Sequence, residues 1–262
     1  MTQHIRPWRR RALLTGATLA VAGWVWAVPK LMSRLPSGLS FRDMKGLPPF
    51  RELEGAGAVS SANAAFAGID KVPAADPDQK RRIADVRADP CTALFGRLTD
   101  GRLPVAFFSD FNCPNCRILD AILTEYDAAN PGSIRIIRHE LPILGPASVT
   151  ASKAVLAAAR QGAYAQMHDR LMRARLVTDL AFVAAMASAA GIDGQRLLAD
   201  MQSPEIEAAL KQSNAIASVF GFYGTPGTVI GRTVFMGAIP AGDVAQVIRD
   251  ELVALPLKCV VP

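Results

Sequence analysis

Phe107-Phe108-Ser109-Asp110-Phe111-Asn112-Cys113-Pro114-Asn115-Cys116 joins an apolar run to a helical one. Pro104 to Ser109 reads as a compact apolar strand. From Pro114, apolar residues recur at helical spacing through Ile118, Leu119, Ile122, Leu123 and Tyr126, until Asn130-Pro131-Gly132 ends the helix. A Cys-x-x-Cys between a strand and a helix is a redox arrangement with a mechanical reason. Cys113 falls at the N-cap or first turn, where unpaired backbone N–H groups and the helix dipole favour a thiolate. Cys116 lies one turn further along the same face, near enough to close a disulfide and less exposed. Cys113 is therefore the expected attacking thiol and Cys116 the resolving one. Pro114 suits the first helical turn, where its missing N–H is not needed.

Other readings of the pair compete. A structural zinc site needs four ligands, and the sequence holds no second Cys-x-x-Cys or paired histidines; His4, His139 and His168 are scattered and read as ordinary surface or partly buried residues. Covalent haem attachment wants histidine after the second cysteine, and position 117 is Arg. A purely structural disulfide and a Cu(I) site made by the two sulfurs are further alternatives, as is a scaffold whose thiols are vestigial. No metal is expected.

Working outward, Thr92 to Phe95 is a candidate short strand, and Asp100-Gly101 a turn. Ile134 to Ile137 reads as a buried strand. A helical region follows from about 147 to 220. Thr178 is placed to cap a helix ending at Gly191, and Ser203-Pro204-Glu205 supplies a cap, a first-turn proline and a first-turn acid. Two short strands, Thr228 to Ile230 and Arg232 to Met236, flank Gly231, and a last amphipathic helix runs from Ala241 to Leu252. The order implies a mixed sheet with a helical domain inserted.

Residues 35–90 are rich in Pro, Gly, Ala and Ser and read as a linker or accessory arm, with short helical pieces at Ser60 to Phe66 and Asp78 to Val86. Residues 1–34 read as a signal peptide or an N-terminal membrane anchor. A basic stretch ends at Arg11, and Ala12 to Val28 is uncharged. Ala20-Val21-Ala22 has the form that signal peptidase accepts, whereas Trp24, Trp26, Pro29 and Lys30 look like an interfacial belt; both readings stand. Arg10-Arg11-Ala12-Leu13-Leu14 also resembles a twin-arginine signal. Either way the bulk of the chain is expected outside the cytoplasm, in the periplasm or its equivalent. The formal charge of +6 comes from this segment: six of the 29 Lys and Arg lie in residues 1–34 without an acid, which leaves 23 against 23 Asp and Glu. A nucleic-acid binder carries its positive charge on the folded domain, so no nucleic-acid partner is expected.

The Cys113 stretch resembles the active site of the DsbA family of thioredoxin-fold thiol–disulfide oxidoreductases, whose members carry Phe-x-Asp-Phe-x-Cys-Pro-x-Cys. Gly224-Thr225-Pro226-Gly227 resembles that family's cis-proline loop, and Gly191-Ile192-Asp193 and Gly237-Ala238 also fit. The resemblance covers roughly residues 91–255. It implies an α/β, thioredoxin-like fold in residues 91–262, with a DsbA-type helical domain inserted between the Cys-x-x-Cys helix and strand and the cis-Pro strand. It implies an enzyme that exchanges disulfides with protein substrates, with no cofactor beyond the Cys113–Cys116 disulfide. A membrane redox protein is the expected electron partner. Pro226 would be the cis-proline facing the disulfide, Thr225 the residue before it, and Asp110 an acid near Cys116 able to relay protons, unless it is simply an exposed loop residue. Two departures matter. Asn115 stands where the best-known oxidase has histidine, which points to a milder oxidant, and Thr225 resembles the isomerase branch. A dimeric isomerase or reductase of the same fold is the alternative, with residues 35–90 as its dimerisation arm. The remaining cysteines, Cys91 and Cys259, are expected to pair in an oxidising compartment, the alternative being two buried thiols.

Overall fold

The computed structural model describes residues 23–24, 38–55, 57–61, 77–174 and 179–256. Its organising strand is β3, Leu103–Ser109, every residue of which is buried. Side chains of a strand alternate between faces, and both faces of β3 are covered. Leu103, Val105 and Phe107 belong to one hydrophobic cluster and Ala106 and Phe108 to another. Four more strands take their places from it: β4 (Ile134–Glu140) lies parallel to β3, β5 (Gly227–Ile230) lies antiparallel on its other side, and β6 (Thr233–Met236) returns antiparallel to β5. β2 (Arg51–Leu53) then pairs parallel with β6, and β1 (Phe41–Asp43) closes the edge against β2, giving the order β1-β2-β6-β5-β3-β4.

Helix α1 spans Pro77–Ala88, α2 Pro90–Phe95 and α3 Pro114–Ala129. Between β4 and β5 come α4 (Pro146–Ala159), α5 (Tyr164–Arg173), α6 (Leu180–Ser188), α7 (Gly194–Asp200) and α8 (Pro204–Val219). This is the helical insertion expected at about 147–220. Helix α9 (Ala241–Val253) follows the β5–β6 hairpin. One cluster packs α3, α9 and much of the insertion against the sheet; α1, α2 and α8 cover the opposite face. The result is the mixed sheet with a helical insertion that the element order implied, and the α/β, thioredoxin-like arrangement that the family resemblance implied, with the insertion between β4 and β5.

Several sequence expectations need correction. Thr92 to Phe95 is helical, not a strand: Asp89 caps α2 by accepting the Thr92 N–H at 3.0 Å, and Pro90 opens its first turn. The stretch read as a linker contributes two strands and α1. Its β2 is tied to the body by Glu251, whose buried carboxylate accepts from Arg51 at 2.8 Å, from Thr233 Oγ1 at 2.9 Å and from the Arg232 N–H at 3.0 Å. The α1 expectation at Asp78 to Val86 holds. Ser60 lies not in a helix but in an isolated β-bridge to Thr225; residues 62–66 are outside the described residues. Thr178 is also outside them, and Asp179 caps α6 through the Phe182 N–H at 2.8 Å. The uncharged run at 12–28 lies outside the described residues save positions 23 and 24. Among the described residues, no helix is long and apolar enough to cross a membrane.

Candidate active site

β3 ends at Ser109 and α3 starts at Pro114, so residues 110–113 form the elbow between them. Cys113 is the N-cap of α3, with extended backbone (φ −87°, ψ 114°), and its sulfur accepts the Cys116 backbone N–H at 3.1 Å. Pro114 occupies the first turn as expected. The register of β5 brings the second half of the site. Gly227 pairs with Phe108, so Thr225 and Pro226, just before β5, lie beside the elbow. The Thr225–Pro226 peptide is cis, and the Cys113 thiol donates to the Thr225 carbonyl at 3.4 Å.

The two sulfurs sit in unequal electrostatic surroundings. Cys113 is lowered from an ordinary 9.0 to about 6. A hydrogen bond from the Cys116 thiol contributes most; burial opposes it, and Ser60, Thr225 and the Cys116 N–H add to it. Cys116 is pushed well above its ordinary value, first by burial and then by the neighbouring Cys113 sulfur. Near neutrality Cys113 is a thiolate and Cys116 a thiol, the division of labour that disulfide exchange requires. Neither residue has accessible surface, yet Cys116 is the more deeply enclosed of the two, as expected. Their asymmetry lies in both burial and hydrogen bonding: burial weighs most on Cys116, and hydrogen bonds gather on Cys113.

Asp110 is neither exposed nor loosely held. Its carboxylate accepts the N–H groups of Asn112 at 2.8 Å and of Ile143 and Leu144 at 2.9 Å each. It braces the elbow against the loop that follows β4. Asn115 donates not to the Cys113 sulfur but to Ser60 Oγ, at 3.3 Å. Ser60 thus belongs to the site, although sequence reasoning missed it: it sits in an Ala/Gly/Ser-rich run with no local signal. A second group it missed is a buried polar cluster beside the elbow. Arg138 pairs with Asp120 at 3.0 Å, Tyr164 donates to Glu140, and His168 lies edge-on to Phe111. Burial raises Glu140 from 4.5 to about 7 and lowers His168 to about 3. As for metal, the elbow brings together only two sulfurs, and among the described residues no group of three His, Cys, Asp or Glu side chains converges.

A family model described as a DSBA-like thioredoxin domain matches residues 104–249. The chain belongs to the DSBA-like thioredoxin family. It is accordingly a thiol–disulfide oxidoreductase. Among solved structures, a thioredoxin-like oxidoreductase from Silicibacter pomeroyi DSS-3 is 32% identical, with 61% of this chain and 96% of that one covered and a TM-score of 0.57. ScsC of Proteus mirabilis in a transitional conformation is 24% identical over 68% of this chain and 82% of that one, TM-score 0.57. The thiol–disulfide exchange protein α-DsbA2 of Wolbachia pipientis is 21% identical over 66% and 95%, TM-score 0.55. The last two show likeness of fold. No curated protein matches the chain.

The family match begins at Pro104. It therefore leaves out Cys91, strands β1 and β2, and Ser60, so these parts must be read from this chain's own geometry. Cys91 is disulfide-bonded, while Cys113 and Cys116 are free thiols. Cys259, the expected partner of Cys91, lies outside the described residues.

Proposed function

We propose that this DSBA-like protein exchanges disulfides with protein substrates outside the cytoplasm, with Cys113 as the attacking sulfur and Cys116 as the resolving one. The opposed shifts of the two thiols carry the reading, because they leave one good leaving group and one protonated partner on the same helical turn. In the oxidising direction a substrate thiolate attacks the Cys113 sulfur of the Cys113–Cys116 disulfide. The S–S bond breaks, Cys116 takes the electron pair and a proton, and a mixed disulfide forms. The substrate's second thiolate then attacks its own sulfur in that mixed disulfide and expels Cys113 as a thiolate, so two electrons have passed to the enzyme. In the reducing or isomerising direction the Cys113 thiolate attacks a substrate disulfide, and Cys116 resolves the complex. No further cofactor takes part, and a membrane redox protein would reset the pair.

The backbone at Thr225–Pro226, beside the Cys113 sulfur, is suited to hold an extended substrate by main-chain hydrogen bonds. The basic, then apolar N-terminus supports export, by cleaved signal or retained anchor. Pairing of Cys91 with Cys259 is part of the same reading: Cys91 is disulfide-bonded, and the other two cysteines of the structure are free.

Equilibration of the protein with glutathione buffers, followed by thiol trapping, tests the proposal. A measurable Cys113–Cys116 potential that Cys113→Ser abolishes is expected. Failure of the pair to exchange with glutathione would overturn it and bring the Cu(I) reading forward. A value near about −120 mV would mark a strong oxidant, and one near about −200 mV or below an isomerase or reductase.

A further inference from the structure

Cys113 is fully buried in a site whose chemistry requires a partner protein's sulfur to reach it. Part of what surrounds it comes from an unexpected place. Residues 57–61, beyond β2, run as an extended segment along the end of β6 and across the Thr225–Pro226 loop. Gly57 N–H donates to the Met236 carbonyl at 2.9 Å, and Ala238 N–H donates to the Ala58 carbonyl at 3.1 Å. Ser60 and Thr225 exchange both of their backbone hydrogen bonds, at 2.8 and 2.9 Å, in an antiparallel bridge. The same Thr225 carbonyl accepts the Cys113 thiol. The segment thus uses the backbone groups that the proposed function reserves for an extended substrate.

Two further observations show that this seating is specific. Gly57 passes so close to Gly237 and Ala238 that a Cβ on residue 57 would lie 2.3 Å from the Ala238 oxygen, and one on Gly237 would lie 2.3 Å from the Gly57 carbonyl carbon. Glycine at both positions is what permits the approach. At the other end the Ser60 hydroxyl accepts from Asn115 and hydrogen-bonds to the Cys113 sulfur. Contact with the reacting sulfur makes Ser60 a residue of the site, not a linker position.

We propose that Gly57–Ser61 is an internal pseudosubstrate strand: it occupies the peptide groove at Thr225, screens Cys113, and leaves when an extended substrate segment replaces it. Its Gly-Ala-Val-Ser-Ser sequence fits a groove that selects by backbone pairing and admits small side chains. The inference rests on the disulfide-exchange reading for the identity of the groove, but the contacts of the strand stand without it.

The test uses reduced full-length protein and the rate at which iodoacetamide alkylates Cys113 across pH. The plateau rate at high pH reports access, and the midpoint reports thiolate formation. Gly57→Val drives the strand off by backbone overlap, and Ser60→Pro removes the N–H that bonds to Thr225; circular dichroism checks that each folds. Gly57→Val is expected to raise the plateau by about tenfold or more, the loss of two net backbone hydrogen bonds, and Ser60→Pro by about fivefold, the loss of one; both should raise kcat/KM toward an extended peptide bearing a disulfide. Ser60→Ala keeps the backbone bridge and removes only the hydroxyl donor, so its midpoint moves to higher pH while its plateau rises only by the small gain in nucleophilicity of a more basic thiolate, well short of the rise in Gly57→Val. Plateau rates of Gly57→Val and Ser60→Pro equal to wild type would overturn the proposal. If the plateaus rise but no variant exchanges with any disulfide, the strand stands and the oxidoreductase role of the pair falls; exchange with unchanged plateaus means the reverse.

Discussion

Lowering Cys113 from 9.0 to about 6 makes the stability of the reduced protein depend on pH in a way the oxidised protein cannot share. The folded value lies below the unfolded one, so the stabilisation is full above about pH 9 and is lost as pH falls through 6. Cys116 is displaced upward and remains a thiol throughout that window, so it adds nothing below pH 9. Linkage then gives about 1.4 kcal/mol at pH 7 and about 2.6 kcal/mol as the change between pH 5 and pH 8, ceilings that solvent reaching the thiolate will lower. Glu140 and His168 titrate in both redox forms and cancel in the difference. Urea unfolding of the oxidised and reduced forms at pH 5, 6, 7 and 8 measures it. The reduced form should gain on the oxidised one by roughly 1.5–2.6 kcal/mol over that range. The pH 7 value corresponds to a potential about 30 mV more oxidising than an unperturbed thiol pair would have. Cys116→Ala removes the largest stabilising contact and should move the thiolate midpoint, read by ultraviolet absorbance, up by about one to two units. A difference flat in pH, or a Cys116→Ala midpoint unchanged from wild type, would refute the hydrogen-bond origin of the low value.

Asp110→Ala strands three half-buried backbone N–H donors and should cost about 2–4 kcal/mol in both redox forms, measured by chemical denaturation. Glu140, raised to about 7 by burial, contributes stability that is full below its unfolded value of 4.5 and is lost as pH rises through 7. Glu140→Gln should therefore flatten the oxidised protein's decline in stability between pH 5 and 8, and an undiminished decline counts against a charged Glu140 as its source. Glu251→Ala uncouples β2 from β6 and α9 and should cost about 3–5 kcal/mol, with protease cleavage appearing first near residues 41–53. Non-reducing peptide mapping should recover Cys91 joined to Cys259, and Cys91→Ala should lower Tm in the oxidised protein.

The parts of the molecule legible in the sequence are those whose signal is local. Cys113 at an N-cap, Pro114 in the first turn and the Ser203-Pro204 start of α8 each follow from the needs of a helix terminus, and the structure places them there. Helix α2 was misread because six mostly buried residues, with Thr92, Leu94 and Phe95 among them, show too little period to separate helix from strand; only Asp89 and Pro90 announce it. Strands β1 and β2 are three residues long, and their sequences Phe-Arg-Asp and Arg-Glu-Leu have no alternation to read. They exist because β6 offers an edge and Glu251 offers Arg51 a partner. Ser60 was beyond reach for the same reason in stronger form, since its place depends on a backbone bridge to a residue far along the chain.

That bridge changes the meaning of Asn115. Read alone, an amide in place of an imidazole removes a charge from beside the thiolate. In the folded chain Asn115 donates to Ser60, whose hydroxyl reaches the sulfur, so the dipeptide between the cysteines acts through a residue outside the motif. The consequence is directional. While the strand is seated, Cys113 has an extra donor and is a weaker nucleophile and a better leaving group, because nucleophilicity falls with pKa. Once a substrate segment takes the strand's place, that donor goes with it, and the sulfur left facing the substrate is more basic and more reactive. Access to the sulfur and its reactivity then rise together, which slows the resting thiolate toward small disulfides without barring them and favours chains that can pair with Thr225.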